Sequence, residues 1–128
     1  MRPDGWEKRL EEYLQNVGPF EWGKNDCCMF SANCAFAITG KDYAKPYRGY
    51  KTAKGAMGRL KGIGVEGIAT KLWGQPKTAA YAKRGDVILF DCGDGDALGI
   101  CIGDKIAVMG QDGLVILPMS ECLKAWSV

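Results

Sequence analysis

Residues 86–117 read DVILFDCGDGDALGICIGDKIAVMGQDGLVIL. Four short apolar runs stand in this stretch: 86–90, 98–102, 106–109 and 114–117. The breaks between them are Cys92-Gly93-Asp94-Gly95-Asp96, Gly103-Asp104 and Asp112-Gly113. Glycine supplies the positive φ of a tight turn and aspartate bonds its own backbone there, so the runs read as strands of an antiparallel meander.

Working outward, the period changes. Trp6, Leu10, Tyr13 and Leu14 recur at helical spacing and predict a helix over 5–16, with Asp4 as its N-cap. Residues 16–25 hold two glycines, a proline and two aromatics, and read as a loop. Asp26 is a good N-cap for a second helix through Phe30, Cys34 and Phe36 that stops near Gly40. Its alanines suit close packing. Residues 41–50 are irregular, with an Arg48-Gly49-Tyr50 turn. Two short helical stretches follow near 52–61 and 65–72, and another is expected near 119–125. Helices first and a meander afterwards predict an α+β fold, N-terminal helices packed on an antiparallel sheet, in a single domain over 1–128.

Composition narrows the function. The chain has 17 basic and 15 acidic residues, a net charge of +2, and no basic stripe, which argues against nucleic acid as a partner. The N-terminal MRPDGWEKRLEEYLQ has no apolar core of a secretory signal, and no apolar run approaches the ~20 residues of a membrane span, so neither export nor membrane insertion is expected. The six cysteines form no C-x-x-C pair and there is no histidine, so no metal and no cofactor are expected; free buried thiols are the default.

Cys27 is the exception. A cysteine in the first turn after a capping Asp26 meets unpaired backbone N–H groups, which favour the thiolate and lower its pKa below ~8.5. Lys24 is close enough in sequence to help; the Asp26 carboxylate opposes. Equally, a cysteine beside Cys28 is ordinary core.

The order Trp22-Gly23, Asp26-Cys27, then Arg84-Gly85-Asp86-Val87-Ile88-Leu89-Phe90 and Ala97-Leu98-Gly99-Ile100 resembles the NlpC-type cell-wall peptidases, small papain-like cysteine peptidases that cut peptidoglycan stem peptides. With Thr39-Gly40-Lys41-Asp42, Arg48-Gly49-Tyr50, Asp112-Gly113-Leu114 and Ala125-Trp126, the chain is similar to an uncharacterised phage and prophage tail family related to them. The resemblance implies a papain-like NlpC-type fold with Cys27 as nucleophile, and Trp22, Asp26 and Gln111 as candidate substrate-binding residues. It departs at one position. The histidine that opens the strand in those peptidases is replaced by Ala97, and the residue that would orient it falls near Met109 or Gly110, with Gln111 the nearest polar side chain.

That departure removes a proton shuttle worth ~10²–10⁴ in rate. Asp94 or Asp96 is a poor substitute, because a negative neighbour raises a thiol pKa. The leading expectation is a phage tail-tip structural or assembly protein with a degenerate peptidase fold, carried in the virion, with tail hub and tip proteins as partners and peptidoglycan as a further ligand. Its alternatives are an active hydrolase that cleaves stem peptides during genome delivery, and a non-catalytic peptide-binding module. Trp22 is as well explained by packing under a loop, Arg48 by pinning the irregular segment, and 91–96 by a hairpin turn as by a calcium loop.

Overall fold

The computed structural model describes residues 2–52, 54–55, 64–93 and 95–128. Among these, three α-helices precede and pack on a six-stranded antiparallel sheet: α1 Trp6–Gln15, α2 Met29–Thr39 and α3 Gly64–Trp73, then β1 Lys77–Thr78, β2 Val87–Asp91, β3 Asp96–Cys101, β4 Lys105–Gly110, β5 Gly113–Pro118 and β6 Lys124–Trp126. The domain is α+β. The helical stretch expected near 52–61 falls largely outside the described residues, as does Asp94 in the first hairpin turn.

The sheet order is β1-β6-β2-β3-β4-β5, so the meander β2 to β5 is intact and the chain end returns to the other side of β2. Val87 pairs with Ile100 and with Trp126, and Val108 with Val115. Both faces of the central strands are covered, which is why they read as continuous apolar runs instead of alternating ones. Val87, Leu89, Leu98, Ile100, Ala107, Met109 and Trp126 meet Leu10, Phe30, Cys34, Ile38 and Ala69 of the helices. On the far face Ile88, Phe90, Ala97, Cys101, Ile106, Val108, Cys122 and Ala125 form a second cluster.

Helix α1 buries Leu10 completely and packs Trp6, Tyr13 and Leu14 on the core, as its spacing predicts. Asp4 is not its cap. Gly5 holds that place at φ +82° with no side-chain bond, and Arg9 stabilises the entry instead. The Arg9 guanidinium donates to the Asp4 carbonyl (2.8 Å) and to the Ala37 (2.9 Å) and Ile38 (3.0 Å) carbonyls, tying the start of α1 to the end of α2. Helix α2 is apolar on every side because it is buried, and it stops at Gly40, φ +80°.

The chain end differs from expectation. Residues 119–121 form one 3₁₀ turn, and Lys124–Trp126 is a strand, not a helix. Pairing with β1 on one side and β2 on the other satisfies its backbone, and Trp126 is buried completely. Seven residues of modest helix propensity do not outweigh that burial. No helix among the described residues is long and apolar enough to cross a membrane.

Candidate active site: a two-thiol cleft

The site is built around the Asp26 carboxylate, which is 1% exposed. One oxygen accepts the backbone N–H groups of Cys28 and Met29, both at 2.9 Å, and so caps the turn that leads into α2. The regular helix begins at Met29, two residues later than Asp26 as N-cap implies, although the Phe30 N–H already bonds the Asp26 carbonyl at 3.0 Å. The other oxygen accepts the Gly23 N–H at 2.9 Å and the Tyr50 hydroxyl. All four bonds are structural. Asp26 is therefore the post that fixes the loop, the helix start and the 48–50 segment, and it has no lone pair directed at a substrate.

The Trp22-Gly23 pair follows from the same packing. Gly23 sits at φ +77°, and a Cβ there would run into the Tyr50 backbone, so only glycine lets the 48–50 segment lie this close. Trp22 stacks edge-on against Phe20 with centroids 4.8 Å apart and packs beside Met29, Ala32, Ala44 and Tyr50. Arg48 does what a pinning residue does: it bonds Asp42, the Asn33 side chain (2.6 Å) and the Lys24 carbonyl (3.2 Å).

Between the N-terminus of α2, the 44–50 segment, α3 and the ends of β3 and β4 lies a cleft of about 450 Å³. Trp22, Asp26, Cys27 and Gln111, far apart in sequence, all line it, as do Met109 and Gly110. Most of its wall is apolar and aromatic, including Phe20, Tyr47, Ile68, Leu72 and Trp73. The Trp73 indole N–H is a buried donor with no partner among the described residues. Lys24 is exposed and is not part of the lining; its carbonyl is spent on Arg48 and Asn33. Asp91 pairs with Asp96 across the β2–β3 hairpin; between them the Cys92 N–H donates to the Gly95 carbonyl at 3.0 Å and the Gly93 N–H donates to the Asp91 carboxylate at 2.8 Å.

Cys27 and Cys28 are both half-buried at the cleft. The Cys27 and Cys28 sulfurs lie within 4.8 Å of one another. The neighbouring Cys28 thiol is the main reason the Cys27 pKa lies below the ordinary thiol value; burial and the Asp26 charge oppose it, and its own backbone N–H assists. The cost appears on the partner. Cys28 is held well above the ordinary value by that same contact and by burial. Sequence reasoning anticipated a lowered pKa at Cys27 but credited the helix end and Lys24; the adjacent cysteine, read as core, is the group responsible.

The base is another matter. The Leu98 N–H donates to the Cys27 carbonyl at 3.3 Å, which docks the start of α2 on β3, and Cys27 packs against the apolar cluster that contains Ala97. Ala97 is fully buried and offers only a methyl group. Among the described residues the cleft lining includes no lysine or arginine, and the chain has no histidine. Asp26, Cys27 and Cys28 place one ligand atom each within 4.8 Å of one another. With the carboxylate fully engaged, only two thiols are free, short of the three or four protein ligands of zinc sites.

Over residues 1–128 the chain matches the family described as Domain of unknown function (DUF6950). It belongs to that family. No curated protein matches it. The DUF6950 match spans every element described above, from α1 through β6, so the cleft is part of the family domain and not an insertion into it.

Proposed function

We propose that this chain is a phage tail-tip structural or assembly protein on a papain-like NlpC-type fold, one that has kept the thiol and the cleft of a peptidase without its acid–base pair. The observation that carries this reading is Ala97. The position that resembles the peptidase histidine lies in the apolar cluster against which Cys27 packs, and it holds a buried methyl group with no proton carrier in its place. Among the described residues the cleft lining offers Cys27 no histidine, lysine or arginine to take its proton on attack and return it to a departing amine. The cleft beside Cys27 has a volume of about 450 Å³ and a mostly apolar wall, which suits contact with a peptide or a partner side chain. For assembly contacts, β5 is an edge strand with Val115 and Ile116 exposed, a surface that a neighbouring subunit would cover.

Mass spectrometry of purified virions and tail intermediates tests the location, and a Cys27→Ala phage tests the chemistry. The reading expects the chain in tails and full assembly and infectivity in the variant. Absence from both virions and intermediates sinks it. The lowered Cys27 pKa favours a second reading, a working hydrolase of stem peptides. Release of peptide fragments from purified peptidoglycan, abolished by Cys27→Ala, would establish that one instead.

A further inference from the structure

The two-thiol arrangement suits a reaction other than amide hydrolysis. We propose that Cys27 takes acyl groups from thioesters, with the Cys28 thiol beside its sulfur and the apolar cleft as the seat of the acyl chain. The inference rests on the reading of this cleft as a maintained, base-free site, though not on its location in a tail.

The leaving group separates the two reactions. Expelling an amine from an amide needs a proton delivered to nitrogen, and the Ala97 position cannot deliver one. A thioester expels a thiolate, whose conjugate acid has a pKa near ~8.5, so it leaves without assistance near neutral pH. In the step itself Cys27 first gives its proton to water, and the Sγ thiolate then attacks the carbonyl carbon and forms a new C–S bond. The donor's C–S bond then breaks, its electron pair stays on the departing sulfur, and that sulfur takes a proton from water. Nothing is oxidised or reduced. Hydrolysis of the resulting acyl-Cys27 would require an activated water, and the same missing base leaves it slow. The site therefore captures and holds an acyl group instead of turning it over.

The surroundings fit an apolar acyl chain. Trp22, Met29, Ile68, Leu72 and Met109 line the cleft next to the sulfur, and its volume of about 450 Å³ falls in the range of small-molecule sites. The titratable groups facing Cys27 are Cys28 and Asp26 on its own segment, with Asp96 at the start of β3 and Cys92 on the hairpin turn lining the same cleft. Tyr50 is committed to Asp26. Of the thiols among these, Cys28 is the one whose sulfur lies within 4.8 Å of the Cys27 sulfur among the described residues.

The native protein is incubated with octanoyl and acetyl thioesters of N-acetylcysteamine and with the matching octanoyl amide, and adducts are mapped by peptide mass spectrometry. Exposed Cys92, on the rim of the same cleft, is the internal reference. The expected result is one hydroxylamine-labile adduct on Cys27, formed at pH 7 several-fold faster than on Cys92, because a larger thiolate fraction outweighs the lower nucleophilicity of a more acidic thiol. The octanoyl donor should outpace the acetyl donor, and the amide should leave no adduct. Cys28→Ala should slow capture several-fold and move the rate–pH midpoint upward, with Cys28→Ser restoring part of the rate. Labelling of Cys27 no faster than Cys92, or equal rates for the two chain lengths, overturns the proposal on wild-type protein alone. Acylation by the amide overturns it in favour of the hydrolase. Absence of the chain from tails defeats only the tail-tip reading; failed acylation of a protein that is present in tails defeats only this one.

Discussion

Asp26 and Asp86 are each 1% exposed, and each gathers separate segments around a carboxylate, but they are held by different partners. Asp86 faces two cations: Arg2 at 2.9 Å and Lys77 at 2.7 Å, with the Lys83 N–H at 2.8 Å. Asp26 faces four neutral donors and no cation. Around Asp86 two cations face the buried charge, and what remains of its field acts away from the cleft: burial raises the Cys101 and Cys122 thiols, and the Asp86 charge adds to it. Around Asp26 the hydrogen bonds are satisfied and no cation faces the charge. It reaches the neighbouring thiols and opposes ionisation of both Cys27 and Cys28. One centre bears on thiols of the far sheet face; the other bears on the thiols of the cleft.

The largest effect should come from breaking the compensated centre. Asp86→Ala leaves the Arg2 and Lys77 charges and the Lys83 N–H without their acceptor. Removing one partner of a buried pair costs ~3–5 kcal/mol. The Arg2 and Lys77 side chains are 17% and 27% exposed and regain some water, so a loss near the lower end, about 3 kcal/mol, is expected from urea unfolding. The alkylation profile of Cys27 against pH should not move. A shift there would mean that the Asp86 charge reaches the cleft.

How much of this was legible in the sequence depends on distance along the chain. The meander β2 to β5 declared itself because each strand is long enough to show an apolar run and each turn is marked by Gly with Asp. Strands β1 and β6, of two and three residues, carry no such signal; they exist because the edge of β2 needs a partner. The Asp26-Cys27 pair and Trp22-Gly23 were readable as local motifs, and Gln111 came from the resemblance. The Tyr50 bond to Asp26 and the two cations on Asp86 were not, since those partners lie 9 to 84 residues away and any of several polar side chains would have served. The role of Cys28 is not legible locally: the sequence shows two adjacent cysteines, and only the fold brings both sulfurs to one cleft. The alanine at position 97 is plain in the sequence, and the fold buries it in the cluster against which Cys27 packs.

A middle-sized effect should follow from Asp26→Asn, which keeps the shape and removes the charge. One carboxylate oxygen becomes an NH₂ group. If that group turns toward Tyr50, whose hydroxyl can accept, the Gly23 N–H is left unpaired in a buried site, at a cost of about 2 kcal/mol. The sign on the thiol is the sharper readout. The Asp26 charge raises the Cys27 pKa, so its removal should move the Cys27 alkylation midpoint to lower pH while the protein becomes less stable. Stability and thiolate formation would then respond in opposite senses to one substitution, which a purely structural role of Asp26 does not produce.

Tyr50→Phe is the smallest change and the most discriminating. It deletes one of the four donors and leaves the Gly23 N–H on the same oxygen, so the loss should be about 1.5 kcal/mol, the lower range for a bond to a charged group. The Tyr50 hydroxyl is pushed above its ordinary pKa by burial and by Asp26, and it therefore remains a protonated donor across the pH range where thiols titrate. With that donor gone, the carboxylate is less well satisfied and its field at Cys27 grows. The alkylation midpoint should move to higher pH, opposite to Asp26→Asn. Both substitutions loosen the same post, so a loss of geometry alone would shift the thiol in the same direction twice. Opposite shifts would assign the effect to charge, and would place the difference between the two aspartates in the nature of their partners instead of in the depth of their burial.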